Sequence, residues 1–236
     1  SRPVKSILDE AKKLIDAGAK EITLLGQNVN AWNANGSDDR VWGLGKLINE
    51  LAKIKELKFI RYMTSHPLDM DTELIEAHRD IEKLMPFLHL PVQSGSDNIL
   101  KLMNRKHKVS DYLKIIEKVR NYIPNIAISG DFIIGFPGET DKDHQKTLQL
   151  IREIEFSQAY SFKYSIRPGT PAAVFFDQVD EKIKNIRLQE VQNILREQQF
   201  QFNQKSINSD IKVLVLKNGK KDNQYLGRSP YNQSVF

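Results

Sequence analysis

Five short polar segments hold most of the side chains in this chain that could do chemistry: Gly26-Gln27-Asn28, Thr64-Ser65-His66-Pro67, Pro91-Val92-Gln93-Ser94-Gly95-Ser96, Gly135-Phe136-Pro137-Gly138-Glu139 and Ser165-Ile166-Arg167-Pro168-Gly169-Thr170-Pro171. The amides of Gln27, Asn28 and Gln93 and the hydroxyl of Ser94 can hydrogen-bond a polar ligand in either sense. His66 can exchange a proton near neutral pH, and the Arg167 guanidinium suits a carboxylate or a phosphate. Gly135 and Gly138 would let the backbone approach a ligand closely. Asp131 sits inside an apolar run, where a carboxylate is costly unless paired. Taken singly, each segment is also ordinary turn chemistry.

The elements around these segments change that weighting. The spacing of Ile7, Leu8, Ala11, Leu14 and Ile15 predicts a helix that Gly18 ends. Short β-prone runs follow at 21–25, 59–63, 87–90, 126–134 and 159–164, with helical spacing over 44–54 and between the later runs. Ser110 and Thr140 stand where helix N-caps are expected, and Asp143 completes a capping-box-like arrangement. Strand and helix in alternation imply a parallel α/β sheet, open or part of a (β/α) barrel. Every one of the five runs leads into one of the polar segments, which places them all on the C-terminal rim where barrels bind ligands. Beyond an amphipathic stretch over 181–202, the texture changes at Ile211 to a strand, an Asn218-Gly219 turn and a second polar strand. The boundaries expected are a barrel over 1–205 and a small β domain over 206–236.

A chain of 236 residues with 40% hydrophobic composition can bury a substantial core. Its apolar runs are too short to cross a bilayer and no signal-peptide pattern is present, so a cytoplasmic location is expected, with no membrane partner. The formal charge of +5 permits an anionic partner without demanding one. The absence of cysteine excludes disulfides, a thiol nucleophile and any thiolate-held metal or cluster on this chain.

Several runs are longer than turn chemistry requires: Leu24-Leu25-Gly26-Gln27-Asn28-Val29-Asn30, Thr64-Ser65-His66-Pro67, Leu88-His89-Leu90-Pro91-Val92-Gln93-Ser94-Gly95-Ser96-Asp97, Met103-Asn104-Arg105, Gly135-Phe136-Pro137-Gly138-Glu139-Thr140 and Arg167-Pro168-Gly169-Thr170-Pro171. In this order they resemble the radical SAM methylthiotransferases, and the Gly26 to Asn30 form resembles the tRNA-modifying branch. The resemblance covers nearly the whole chain. It implies a radical SAM barrel that here lacks its first strand, followed by the start of a TRAM-like RNA-binding domain. It implies an enzyme that adds a methylthio group to C2 of an N(6)-isopentenylated adenosine beside the anticodon, with SAM and two [4Fe–4S] clusters as cofactors and a tRNA anticodon stem-loop as partner. It places SAM near Gln27, Asn28, Gln93, Ser94, Asp131, Gly135 and Gly138. His66, Lys163, Tyr164, Arg167, Lys212 and Arg228 become candidates for substrate, with the alternation along a strand allowing only one of Lys163 and Tyr164 to face a pocket.

The chain departs from that family in having none of its cluster cysteines. Ser1-Arg2-Pro3 resembles the segment just after the cluster loop, so a missing N-terminal portion of the same enzyme is a further expected partner, and this chain alone is expected to be inactive. Action on another tRNA adenosine or on a ribosomal protein is an alternative, as is an inert RNA-binding fragment. A cofactor-independent barrel enzyme pairing His66 with Asp131 or Glu139 as acid and base is the remaining rival.

Overall fold

The computed structural model describes all of residues 1–236. In chain order the elements are α1 (Val4–Asp16), β1 (Glu21–Leu24), β2 (Ala34–Asn35), β3 (Val41–Trp42), α2 (Leu44–Ala52), β4 (Phe59–Tyr62), α3 (Thr72–Asp80), β5 (Phe87–His89), α4 (Asp97–Leu102), α5 (Val109–Tyr122), β6 (Ala127–Ile134), α6 (Asp141–Ile154), β7 (Gln158–Lys163), α7 (Glu181–Gln204), β8 (Leu214–Asn218), β9 (Tyr225–Arg228) and β10 (Ser234–Val235). The alternation of short strands with helices is that of a partial (β/α) barrel. The chain divides into two compact units, one of Ser1–His89, Lys118–Ala127 and Asn208–Phe236, the other of Leu90–Glu117 and Ile128–Ile207.

In the first unit α1 buries Val4, Ala11 and Ile15, a stripe at helical spacing. Gly18 ends it at φ +101°, with its N–H on the Ile15 carbonyl, a left-handed stop open to glycine. Strands β1 and β4 pair in parallel, Glu21 beside Phe59 and Leu24 beside Tyr62. Helix α2 packs on α3 and buries Leu44, Leu47, Ile48 and Leu51, all essentially inaccessible. Asp71 caps α3 by accepting from the Leu74 N–H at 2.7 Å. Between β1 and α2 lies a small hairpin, β2 against β3, pinned by Trp42, whose Nε1 donates to Asp38 at 2.6 Å. The C-terminal strands form an antiparallel sheet in the order β10-β9-β8. Strands β8 and β9 are joined by a six-residue loop over 219–224 rather than a tight Asn-Gly turn, closed by the Gly219 N–H on the Gln224 carbonyl.

In the second unit β6 pairs in parallel with β7, Asp131 beside Tyr160 and Ile133 beside Phe162. Phe132 turns the other way and meets Phe156 edge to face. Helix α6 begins with the expected capping box: Thr140 accepts from the Asp143 N–H while the Asp143 carboxylate accepts from the Thr140 N–H. The expected cap at Ser110 is not one. Helix α5 starts at Val109, which puts Ser110 inside its first turn, and the Asp111 carboxylate reaches back to the Lys108 N–H at 3.0 Å.

Candidate functional site

In the first unit, parallel pairing carries the ends of β1 and β4 side by side, and the Val29 N–H on the Thr64 carbonyl at 2.9 Å joins the loops that follow. Thr64 takes a left-handed φ of +68°, a strained value for a β-branched residue. Asn30 grips the backbone of His66 in both directions, donating from Nδ2 to its carbonyl and accepting its N–H at 2.8 Å. The His66 ring accepts the Leu68 N–H at Nδ1, which caps the short turn Pro67–Asp69. Asp69 closes that turn 4.0 Å from the same ring nitrogen. It also takes the Asn28 amide N–H at 2.7 Å. With the nitrogen turned to Asp69, the Asn28 carbonyl oxygen is left buried without a partner, as is the Ser65 hydroxyl. A buried polar atom without a partner costs about 1–3 kcal/mol, and these two acceptors in one loop cluster would gain from a group that donates to them. Gln27 is exposed beside them.

In the second unit Gln93 bridges to β6 through its backbone, its N–H on the Asp131 carbonyl and its carbonyl on the Ile133 N–H. Its left-handed φ of +77° breaks the strand's alternation. Ser94 is thereby turned inward, and its hydroxyl lies 3.4 Å from Thr147 Oγ1 and accepts the Ser96 N–H. Ser94 was expected at SAM; the structure uses it to fasten its loop to α6. The same fastening includes the Gly95 N–H on Thr147 at 3.0 Å and Ser96 Oγ on Asp143 at 2.6 Å. A Cβ on Gly95 would fall 2.6 Å from the Lys146 carbonyl oxygen, so the loop lies flush on the helix only with glycine there. Asp143 itself is opposed by burial, but the hydrogen bonds from Ser96 and Thr140 hold its pKa below the usual carboxylate value.

Gly135 and Gly138 adopt left-handed φ values of +71° and +82°. Their N–H groups are engaged within the unit, Gly135 with the Glu139 carboxylate and Gly138 with the Asp177 carbonyl. Glu139 is buried; that burial pushes its pKa up, against the Gly135 N–H and Arg187, which favour the charged form. Arg187 reaches from α7 to the Glu139 carboxylate at 2.9 Å, the Glu139 carbonyl and Asp141. Glu139 is thus a strut of its loop, which argues against it as an acid or base. Asp131 is half-buried on β6.

The substrate candidates divide. Lys163 points to α7, bonded to Glu181 at 3.0 Å and Asn185 at 2.8 Å. Tyr164 packs edge-on against Phe136 at 5.0 Å, with its hydroxyl buried and unpartnered and Lys184 Nζ over its ring. Arg167 is exposed in a turn held by Thr170. Lys212 makes an exposed pair with Glu82. Arg228 reaches Glu21 at 3.3 Å, beside Arg61, so it serves an internal network instead of standing open to a phosphate. Asp69, Arg61 and the exposed rings Tyr160 and Phe162 were missed from sequence; only the two aromatics left a signal, their period-two spacing.

Residues 1–151 match the radical SAM superfamily. The chain belongs to that superfamily. Over 231 residues it is 57% identical to a tRNA-2-methylthio-N(6)-dimethylallyladenosine synthase of Bartonella bacilliformis, covering 98% of this chain and 50% of that protein. The chain therefore spans about half the length of this curated relative. Among solved structures, the radical S-adenosylmethionine methyltransferase TsrM of Kitasatospora setae aligns with a TM-score of 0.56 at 14% identity, over 74% of this chain and 33% of its own. Methylornithine synthase aligns with a TM-score of 0.53 at 14% identity, over 82% of this chain and 53% of its own. At such identities these likenesses show the radical SAM fold alone.

The chain's residues fit one of the superfamily's two groups. The unpartnered Asn28 and Ser65 oxygens suit the ammonium end of SAM. An iron–sulfur cluster does not fit: there is no cysteine, and no three His, Cys, Asp or Glu side chains converge as metal ligands. No helix is long and apolar enough to cross a membrane.

Proposed function

We propose that this chain is the SAM-holding and substrate-facing part of a tRNA methylthiotransferase, acting on C2 of an N(6)-isopentenylated adenosine beside the anticodon. The observation that carries the reading is the pair of orphaned acceptors, Asn28 Oδ1 and Ser65 Oγ, on the rim of a chain so close to the Bartonella enzyme. When bound, one molecule of SAM would supply the methyl group, and a second, cleaved with an electron from the cluster, the radical that takes hydrogen from the adenine. The chain's own part is to bind and orient: in the first unit Asn28 and Ser65 accept from the amine, with Gln27 beside them, and in the second unit Asp131, Gln93, Gly135 and Gly138 remain separate candidates for SAM. The cluster ligands must come from elsewhere in the enzyme, so this chain alone does not methylthiolate. The parts are a barrel over 1–205 and a TRAM-like RNA-binding segment over 206–236, in a cytoplasmic enzyme.

Calorimetric titration with SAM tests the first part. Without a cluster to chelate the amine and carboxylate, affinity is weaker than in a holoenzyme by a thousandfold or so. Removing one charge-assisted hydrogen bond with Asn28→Ala weakens it about tenfold further. Binding indifferent to Asn28→Ala would misplace the site. For the C-terminal segment, Lys217, Lys220, Lys221 and Tyr225 are exposed around the β8–β9 loop, the mixture that tracks phosphates and stacks bases. Replacing the three lysines by glutamine lowers the salt slope of anticodon stem-loop binding by about 2, and an unchanged slope removes this segment from the RNA contact. The lack of cysteine also favours a second reading, an RNA-binding fragment without catalysis, which predicts the same RNA result and no SAM binding.

A further inference from the structure

Strand β7 has one strand neighbour, β6, so its other edge runs open along a groove walled by α7. Two stretches of this groove share Ser161 and Phe162. The first, of about 400 Å³, is lined by Tyr160, Phe162, Gln192, Leu195, Arg196 and Gln199 among others. The second, of about 620 Å³, continues past Lys163 to Ile166 and Lys184. Tyr160 and Phe162 are 48% and 58% exposed, unusual for large rings inside a strand. Two residues apart on one strand face, they stand about 6.6 Å from each other, a spacing that lets flat bases lie against both.

Charge selects the occupant. The only charged residue lining the first stretch is Arg196, which is exposed, and no carboxylate lines it. In the second stretch the one carboxylate, Glu181, is flanked by Lys163 at 3.0 Å and Lys184 at 2.8 Å. Exposed rings, cations and side-chain amides together are what hold unstacked nucleotides: rings for bases, Arg for phosphate, amides for base edges. An apolar peptide would leave Arg196 and two glutamines unmatched. We infer that the β7–α7 groove binds a single-stranded stretch of RNA, with bases on Tyr160 and Phe162 and a phosphate at Arg196. The inference rests on the tRNA-modifying reading and assigns the loop nucleotides a surface there.

The test is titration of the full chain with a synthetic anticodon stem-loop carrying 2-aminopurine at successive loop positions, since stacking quenches that base. At one or more positions the wild-type chain quenches it. Phe162→Ala abolishes the quench and weakens binding about tenfold, and Arg196→Gln flattens the dependence of log affinity on log salt by about 0.7. Arg152→Gln, an exposed arginine on α6, changes neither. Stem-loop binding with quench and slope unaltered by both groove variants overturns the groove and leaves the tRNA reading standing. Failure of the wild-type chain to bind the stem-loop at low salt overturns both. A concentration-dependent dimer in sedimentation velocity that Ser161→Pro dissolves would show that a second copy takes the free edge, and would likewise overturn the RNA assignment.

Discussion

Arg61 is the residue outside the C-terminal segment whose loss should loosen it most directly, because its guanidinium donates to that segment's backbone. Its side chain is 3% exposed and makes three bonds: Nε to Glu21 at 2.7 Å, Nη1 to the Pro230 carbonyl at 3.0 Å and Nη2 to the Ser229 carbonyl at 2.8 Å. Burial lowers its pKa, and Glu21 opposes that shift. Arg61→Met keeps much of the volume but leaves Glu21 with only the longer Arg228 contact, takes the guanidinium from the Pro230 carbonyl and leaves the Ser229 carbonyl with the Asn232 N–H alone. Breaking one side of a buried charged pair costs about 3–5 kcal/mol. Part of this cost falls on Ser229 and Pro230, so the segment over 208–236 should loosen before the rest unfolds. Arg61→Lys can keep the ion pair but not the forked carbonyl contacts, and should free the segment at a smaller global cost, about 1–2 kcal/mol. Denaturant unfolding gives the first quantity, and amide exchange across β8 to β10 gives the second. An Arg61→Met protein within about 1 kcal/mol of wild type, with β9 equally protected, would refute the claim that this guanidinium holds the segment in place.

Three further outcomes are expected. Burial depresses His78 to a pKa of about 4, with Nε2 and the Tyr62 hydroxyl hydrogen-bonded at 2.7 Å; the unfolded chain takes up that proton first, so stability is full above about pH 6.5 and falls by about 3 kcal/mol as pH drops to 4, a loss that His78→Gln should remove from the pH series of unfolding midpoints. Gly95→Ala should cost about 2–4 kcal/mol, because its Cβ meets the α6 backbone and the Gly95 bond to Thr147 is lost; an unshifted denaturation midpoint at unchanged m-value would contradict the close approach. Asp69→Ala should weaken SAM severalfold by releasing the Asn28 amide to turn over, whereas Asp69→Asn, which keeps an acceptor for it, should stay near wild type; equal affinities in the two variants would show that Asp69 does not set the orientation of Asn28.

The sequence made the local parts of this fold legible where a residue type has one physical use. Thr140 with Asp143 before an apolar stripe is a capping box in sequence and in structure. Gly18 after Ile15 is a helix stop in both. The β2–β3 hairpin went unseen because its strands are two residues each and its anchor, the Trp42 contact with Asp38, is a side-chain bond without periodicity. Arg61 went unseen for a different reason. In a strand reading Phe-Ile-Arg-Tyr-Met an arginine looks like an outward position, and the carbonyls that make it an inward one lie on a segment that follows much later in the chain.

At the rim, the sequence could gather the polar segments but could not apportion their side chains between holding loops and meeting ligands. Gln93 shows why: one left-handed φ resets the alternation, so the direction of Ser94 depends on a dihedral that no pattern reveals. Glu139 and Arg228 have the same composition-level promise as Asn28, yet each ends on an internal partner of opposite charge. Asn28 also has an internal partner, Asp69, but that bond uses only its nitrogen and so aims its oxygen. A carboxylate that consumes the donor half of an amide leaves the acceptor half with nothing inside the protein to do. Such leftover capacity, rather than polarity, sets Asn28 apart from Glu139 and Arg228.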